Sequence, residues 1–253
     1  MVVKKIYDRL LKEYGYQGWW PLIGYDGVNV TKTGSINGYH PGEYDFPRND
    51  DEKFEIICGA LLTQNTSWVN VEKALINLKE AGLLGMREIA GGDIEKIKEC
   101  IKPAGYYNQK GERLKILAEY FWGLGGRVPS RNELLMLKGV GPETADSILL
   151  YAYGVSSFVV DSYTRRIVEG LKLIEKGRSY GEIKRFFEAG LGKVGSGERG
   201  VGSGEVVDGG GGEKSIDFKI YQEFHALLAR HAKRFYLGNK NGEGDFLREI
   251  VSV

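Results

Sequence analysis

Apolar residues along this chain recur at helical spacing, and strand-like alternation is scarce. Ile6, Leu10, Leu11 and Tyr14 define the buried face of a short N-terminal helix. The pattern resumes at Asp51 and runs through Phe54, Ile57, Cys58 and Leu61. Thr66 is placed to cap the next helix, which carries Val69, Leu75, Ile76 and Leu78 and stops at Gly82. Residues 93–101 and 112–122 give two more, and Ser130-x-x-Glu133 is a capping box before a short helix. Ala145, Ile148, Leu149 and Ala152 lie on one face of another, ended by Gly154. Later helices carry Ile167, Leu171 and Leu173, then Ile183, Phe186 and Phe187, and a last one spans about 217–236. The expected class is all-α.

Two stretches break the pattern. Residues 24–49 turn to Gly, Asn, Asp, Tyr and Pro and read as a long loop with at most a short hairpin, containing His40. Residues 192–213 are dominated by glycine. Within them Gly195, Gly197 and Gly200 match the spacing G-x-G-x-x-G, but no strand precedes them and the chain has no βαβ texture. A flexible insertion is the expected reading.

The segment Leu137-Lys138-Gly139-Val140-Gly141-Pro142-Glu143-Thr144-Ala145 carries the most specific chemistry. Gly139 and Gly141 permit a tight turn and close backbone approach, and Pro142 suits the first position of a helix. The free N–H groups of such a hairpin and first turn can bind an anion. A helix over 142–153 is about 18 Å long. The seven residues 154–160 can span roughly 23 Å, enough to bring Asp161 back beside the hairpin. A phosphate grip with a carboxylate nearby suits removal of a base from DNA. Asp161 also fits as the N-cap of a helix starting at Ser162, and a cap would hold the carboxylate in place and ionised.

Composition adds bounds. The 253 residues can bury a substantial core, and 42% hydrophobic with 27% charged residues is ordinary for a globular protein. A net charge of +1 excludes a strongly basic surface overall. Charge can still be local: Lys102, Lys110, Arg113 and Lys115 surround Tyr106 and Tyr107, as a basic patch or as a solvated helix face. Cys58 and Cys100 form no disulfide framework and read as free thiols. Residues 1–11 are too charged for a signal or membrane segment, so a cytoplasmic protein with no membrane association is expected. His225 and His231, six apart and with no nearby Cys, read as structural, so no metal site is expected.

The hairpin L-x-G-V-G-x-x-T-A and the V-D segment after it resemble the endonuclease III superfamily of helix-hairpin-helix DNA glycosylases. So do Leu62-Thr63-Gln64-Asn65-Thr66, Gly105-Tyr106-Tyr107-Asn108-Gln109-Lys110 and Gly126-Arg127-Val128-Pro129, in the right order over residues 50–170. The resemblance implies a six-helix module near 50–155 and a second module from 1–49 and 156–253, with a cleft for DNA and base between them. It implies that Asp161 is catalytic and that Gly139, Val140, Gly141, Thr144, Gln64 and Asn65 meet DNA, with Gln64 filling the gap left by a flipped nucleotide. The partner would be double-stranded DNA with damaged bases, bound by a monomer.

Where strand-cleaving relatives carry a nucleophilic lysine, this chain has Glu143, so no lyase step is expected. Glu143 can face the base or the water, or simply favour the first turn of its helix. Many relatives hold an iron–sulfur cluster on four cysteines near the C-terminus, whereas no cysteine follows Cys100, so no cluster is expected. Lys233 is a candidate for part of the cluster's packing role. Trp19, Trp20 and Trp68 are candidate walls of a base pocket, with core packing as the alternative. An electron-rich wall suits a cationic base. The set resembles the cluster-less 3-methyladenine DNA glycosylases most. Excision of a mismatched or oxidised base and noncatalytic DNA binding are the alternatives.

Overall fold

The computed structural model describes residues 2–192, 218–238 and 240–251. Most of the predicted 192–213 insertion lies outside the described residues. Among the described residues, twelve α-helices follow in order: α1 (Val2–Tyr14), α2 (Asp50–Leu62), α3 (Trp68–Glu80), α4 (Met86–Gly91), α5 (Ile94–Ile101), α6 (Tyr107–Leu124), α7 (Arg131–Met136), α8 (Pro142–Ser147), α9 (Ser162–Gly170), α10 (Tyr180–Leu191), α11 (Phe218–Phe235) and α12 (Arg248–Val251). Among the described residues there is no strand, only an isolated bridge between Val28 and Tyr39. The fold is all-α.

α2 is the central element. Every residue from Phe54 to Leu62 is buried, including Glu55, so the helix is enclosed on all sides rather than along a stripe. It packs on α3, α6 and α8, and α8 runs on into a π-helical turn, Ile148–Ala152. All five residues of that turn are buried, and Gly154 (φ +62°) ends it. α1 lies against α10, α11 and α12, and α9 against α11. α4 and α12 and a 3-10 turn at Lys102–Ala104 are short elements without enough periods to leave a sequence signal.

Local chemistry set several boundaries as expected. Ser130 and Glu133 form the reciprocal capping box on α7. Asp93 caps α5 by accepting from the Glu95 and Lys96 amides. The Thr66 cap is a correction: the N-cap of α3 is Ser67, and the Thr66 hydroxyl instead accepts from the Asn70 side chain at 3.1 Å.

Of the four basic residues around Tyr106, offered as a basic patch or a solvated helix face, two are tied to backbone carbonyls, while Lys102 stays exposed. Lys110 is 2% exposed, and its ammonium donates to the carbonyls of Leu62, Gln64 and Ala104 at 2.8–2.9 Å. It pins the end of α2 and the 3-10 turn together. Lys115 donates to the Gly92 carbonyl at 2.8 Å.

Candidate functional site: an aromatic cavity beside the hairpin

The hairpin between α7 and α8 is held from three directions. Gly139 has φ +89°, which favours glycine, and a Cβ there would lie 2.2 Å from Arg113 Cδ, so any side chain would also have to displace that arginine. Val140 is buried, and its amide donates to the Leu137 carbonyl at 3.0 Å. Gln64, on the loop after α2, donates its side-chain amide to the Gly139 carbonyl and the Thr144 hydroxyl, both at 2.9 Å. Gln64 is thus engaged with the hairpin, while Asn65 (φ +54°) is exposed. The Thr144 side chain is turned inward and buried.

Beneath the hairpin sits Asp146, fully buried. It accepts from Arg131 Nε at 2.8 Å, Ser157 at 2.7 Å and Tyr180 at 2.7 Å, and pairs with Lys184 at 3.1 Å. Burial pushes its carboxyl up, but Arg131, Lys184 and the two hydroxyls outweigh that and hold it below the usual range.

On the cavity side, Gly141 opens α8 without a side-chain cap, so the first-turn amides keep no partner from that residue. Next to them lies a cavity of about 240 Å³ whose walls include Trp19, Trp20, Trp68, Thr33, Tyr39, Tyr163, Glu143, Asp161, His225 and Lys233. A larger hollow of about 490 Å³ opens elsewhere, lined by Asp51, Glu52, Glu55 and Glu88. Those carboxylates would repel a polyanion and there is no aromatic stack, so the chemistry belongs to the smaller cavity.

The three tryptophans meet edge to face, Trp19–Trp20 at 6.3 Å and Trp20–Trp68 at 5.7 Å between ring centres. All three rings line the cavity, and they differ in burial. Trp20 is 6% exposed and packs on Tyr151 and against Gly59, while Trp19 and Trp68 are half-buried at the wall.

Residues 15–49 supply much of this wall, because buried carboxylates from three helices pin them. Glu223 of α11 accepts from the Gln17 and Gly18 amides at 2.8 and 3.3 Å. Glu55 of α2 accepts from the Ile23 amide at 2.6 Å, and Glu72 of α3 accepts from the amide and hydroxyl of Ser35. His40, singled out in this loop, bonds the carbonyls of Trp20 and Glu43 at 3.0 Å each and props Trp20 in place.

Asp161 caps α9, its Oδ1 accepting from the Thr164 amide at 2.7 Å, and it faces the cavity with 13% of its side chain accessible. Its Oδ2 lies 3.4 Å from His225 Nε2. Burial opposes its charge, but His225 and the Thr164 amide outweigh that and keep the carboxyl below its usual value. Glu143 stands at the rim, much of it open to solvent. The surrounding walls, then the Asp161 carboxylate, push it up to about 7. The two carboxyls therefore differ: one stays ionised and the other titrates near neutrality.

The sequence had His225 and His231 as alike. His231 is buried between Asp245 (2.9 Å) and the Tyr14 hydroxyl (3.0 Å), whereas His225 reaches the cavity. Lys233 also lines the cavity, its amine 5.6 Å from the centre of the Tyr163 ring. No short motif marks His225, Thr33, Tyr39 or Lys233. Among the described residues no cluster of His, Cys, Asp and Glu is arranged to hold a metal. An iron–sulfur cluster needs four thiolates. The chain's two cysteines, Cys58 buried in α2 and Cys100 in α5, do not fit that need. No helix among the described residues is long and apolar enough to cross a membrane.

Comparison with known proteins agrees with this geometry. Residues 58–193 match the family described as HhH-GPD superfamily base excision DNA repair protein. The "Putative DNA repair glycosylase MJ1434" of Methanocaldococcus jannaschii is 37% identical over 245 residues, covering 92% of this chain and 88% of that one. Endonuclease III of Thermotoga maritima is 38% identical over 129 residues, covering 48% of this chain and 59% of that one. Among solved structures, the 3-methyladenine DNA glycosylase MagIII of H. pylori, bound to 1,N6-ethenoadenine, superposes with a TM-score of 0.63 at 28% identity. That match covers 92% of this chain and 96% of that one. A non-covalent endonuclease III–DNA complex shares the fold, with a TM-score of 0.66 at 16% identity over 98% of this chain and 92% of that one. The chain belongs to the HhH-GPD superfamily of base excision DNA repair proteins, the endonuclease III-like DNA glycosylases.

Proposed function

We propose that this protein is a monofunctional DNA glycosylase that hydrolyses the N-glycosidic bond of alkylated purines such as 3-methyladenine. The observation that carries the reading is one cavity holding Trp19, Trp20, Trp68, Asp161 and Glu143 beside the hairpin. The hairpin amides grip the DNA backbone, which carries no sequence information and so suits a search for damage. The target base leaves the stack and enters the cavity, where indole faces favour a cationic purine. As the bond to the base stretches, positive charge builds on the sugar, and the ionised Asp161 carboxylate stabilises it. An alkylated purine is already a good leaving group, so little acid catalysis is required. Similarity to the H. pylori 3-methyladenine enzyme supports the substrate class.

Glu143 supports hydrolysis without strand cleavage, since a carboxylate cannot form the Schiff base that a lysine forms. With two cysteines in separate helices, the enzyme is proposed to work without an iron–sulfur cluster, as a monomer, on double-stranded DNA. A second reading, excision of an uncharged lesion, is favoured by Lys233, whose cation lines the same cavity. Incubation with a panel of duplexes containing 3-methyladenine, 7-methylguanine, ethenoadenine, uracil and 8-oxoguanine separates the two. Release of the methylated purines supports the first reading, and release confined to uncharged bases overturns it.

A further inference from the structure

His225 has no part in the chemistry so far, yet this buried side chain lies 3.4 Å from Asp161 Oδ2, the oxygen that the Thr164 amide does not hold. Its Nδ1 lies 2.7 Å from the Tyr151 hydroxyl, which is also 3.2 Å from the Gln222 carbonyl. Its Nε2 is buried, lacks a well-formed hydrogen bond, and lies 3.4 Å from Asp161 Oδ2. Its ring meets Trp19 edge to face at 5.5 Å. The π-helical turn delivers Tyr151 to this position, and such turns recur at functional sites.

We propose that His225 is a positioning residue for Asp161, fixing Oδ2 while Thr164 fixes Oδ1, and that its protonation state sets how much of the carboxylate's charge reaches the reacting sugar. This rests on the reading of Asp161 as the group that stabilises the sugar cation.

Two arrangements satisfy the donors and acceptors present. In the neutral one, the Tyr151 hydroxyl donates to Nδ1, and Nε2–H points at Oδ2. Asp161 is then oriented and keeps its full charge for the sugar. In the protonated one, Nδ1–H donates to the Tyr151 oxygen, and Tyr151 donates to the Gln222 carbonyl. Nε2–H now belongs to a cation, and Asp161 is half of an ion pair. A carboxylate neutralised by a buried imidazolium offers less to a developing positive charge. Base release is therefore faster from the neutral arrangement than from the protonated one, which gives it a rise with pH.

Other charged groups face this pair. Glu143 at the start of α8 titrates near 7 in the same cavity, Lys233 lines it from α11, and Glu223 lies behind Tyr151. Glu143 would add its own pH limb, so the test is run in a Glu143→Gln background.

The experiment is the single-turnover rate of base release from methylated DNA against pH. The proteins are Glu143→Gln alone and combined with His225→Gln, His225→Phe or Tyr151→Phe, with Asp161→Asn as reference. Glutamine can still donate to Oδ2 but does not titrate, so its profile should lose the rise with pH and stay within roughly tenfold of the parent plateau. Phenylalanine cannot donate, so the maximal rate should fall roughly tenfold or more while affinity for an abasic-site duplex holds. Tyr151→Phe removes the partner of Nδ1 and should displace the pH limb, which keeps the test open if a His225 variant fails to fold. Unchanged profiles in His225→Gln and Tyr151→Phe, with Asp161→Asn inactive, overturn this inference and leave the proposed function standing. Full activity of Asp161→Asn overturns both.

Discussion

Gln64 and Gly139 are joined by a 2.9 Å hydrogen bond from the Gln64 side-chain amide to the Gly139 carbonyl. The bond ties the loop after α2 to the hairpin 75 positions further along the chain. Gln64 also donates to Thr144 and lies 3.4 Å from Arg113, whose stem packs where a Gly139 side chain would be.

Gln64→Ala removes both donated bonds. At about 1 kcal/mol net each, it is expected to lower the melting temperature by about 4–8 °C for a domain of this size. Affinity for an abasic-site duplex should weaken as the hairpin loosens. Calorimetry and a fluorescence-anisotropy titration check this; a variant with wild-type affinity would separate the loop from DNA binding.

Asp146 is the ionic foundation of the hairpin. Asp146→Ala removes the counter-charge of Arg131 and one of the two of Lys184, which keeps Glu188 at 3.2 Å, and is expected to cost up to about 3 kcal/mol. The carboxyl is held below its usual value in the folded protein. Its contribution is therefore fully present above the unfolded carboxylate pKa and is lost as pH falls through the lower folded value. Urea unfolding between neutral pH and about pH 3 should show wild type and variant converging as the solution becomes acid.

Glu143 works in the opposite sense. Its folded pKa, about 7, lies above the unfolded value, so folding opposes its ionisation. The penalty is absent at low pH and grows as pH rises from the unfolded pKa through 7. Glu143→Gln should therefore be the more stable protein at pH 8 and indistinguishable at pH 4. The gain is no more than about 1 kcal/mol, because the side chain is open to solvent.

Borohydride reduction in the presence of an abasic-site duplex tests the absence of a lyase step. Wild type is expected to give no covalent complex, and Glu143→Lys to give one, because the amine then stands at the first turn of α8. A wild-type adduct that disappears in Lys233→Met would assign nucleophilic chemistry to Lys233 instead.

The hairpin was legible because its determinants are local: two glycines, a proline and a capping box within a dozen residues. Asp161 was legible from reach alone, and its role as N-cap and its cavity-facing position coexist in the fold. The far wall of the cavity was not legible. Residues 15–49 hold no periodic pattern, and Glu55, Glu72 and Glu223, which pin them, read in sequence as ordinary helix charges. The same blindness affected Lys110, whose carbonyl partners come from the end of α2 and from the 3-10 turn. It also affected His225, which differs from His231 only by what the fold sets opposite it. Long-range polar contacts leave no spacing to read.

Asp161, at the edge of an aromatic cavity, is proposed to drive release of an alkylated purine. The most direct measurement is the single-turnover rate of free 3-methyladenine release from methylated duplex DNA by wild type and Asp161→Asn at neutral pH. Wild type should release the base, and the variant should do so slower by about 10²–10³-fold while binding the duplex equally well. Equal rates for the two proteins, or no methylated purine released by wild type, would contradict the account.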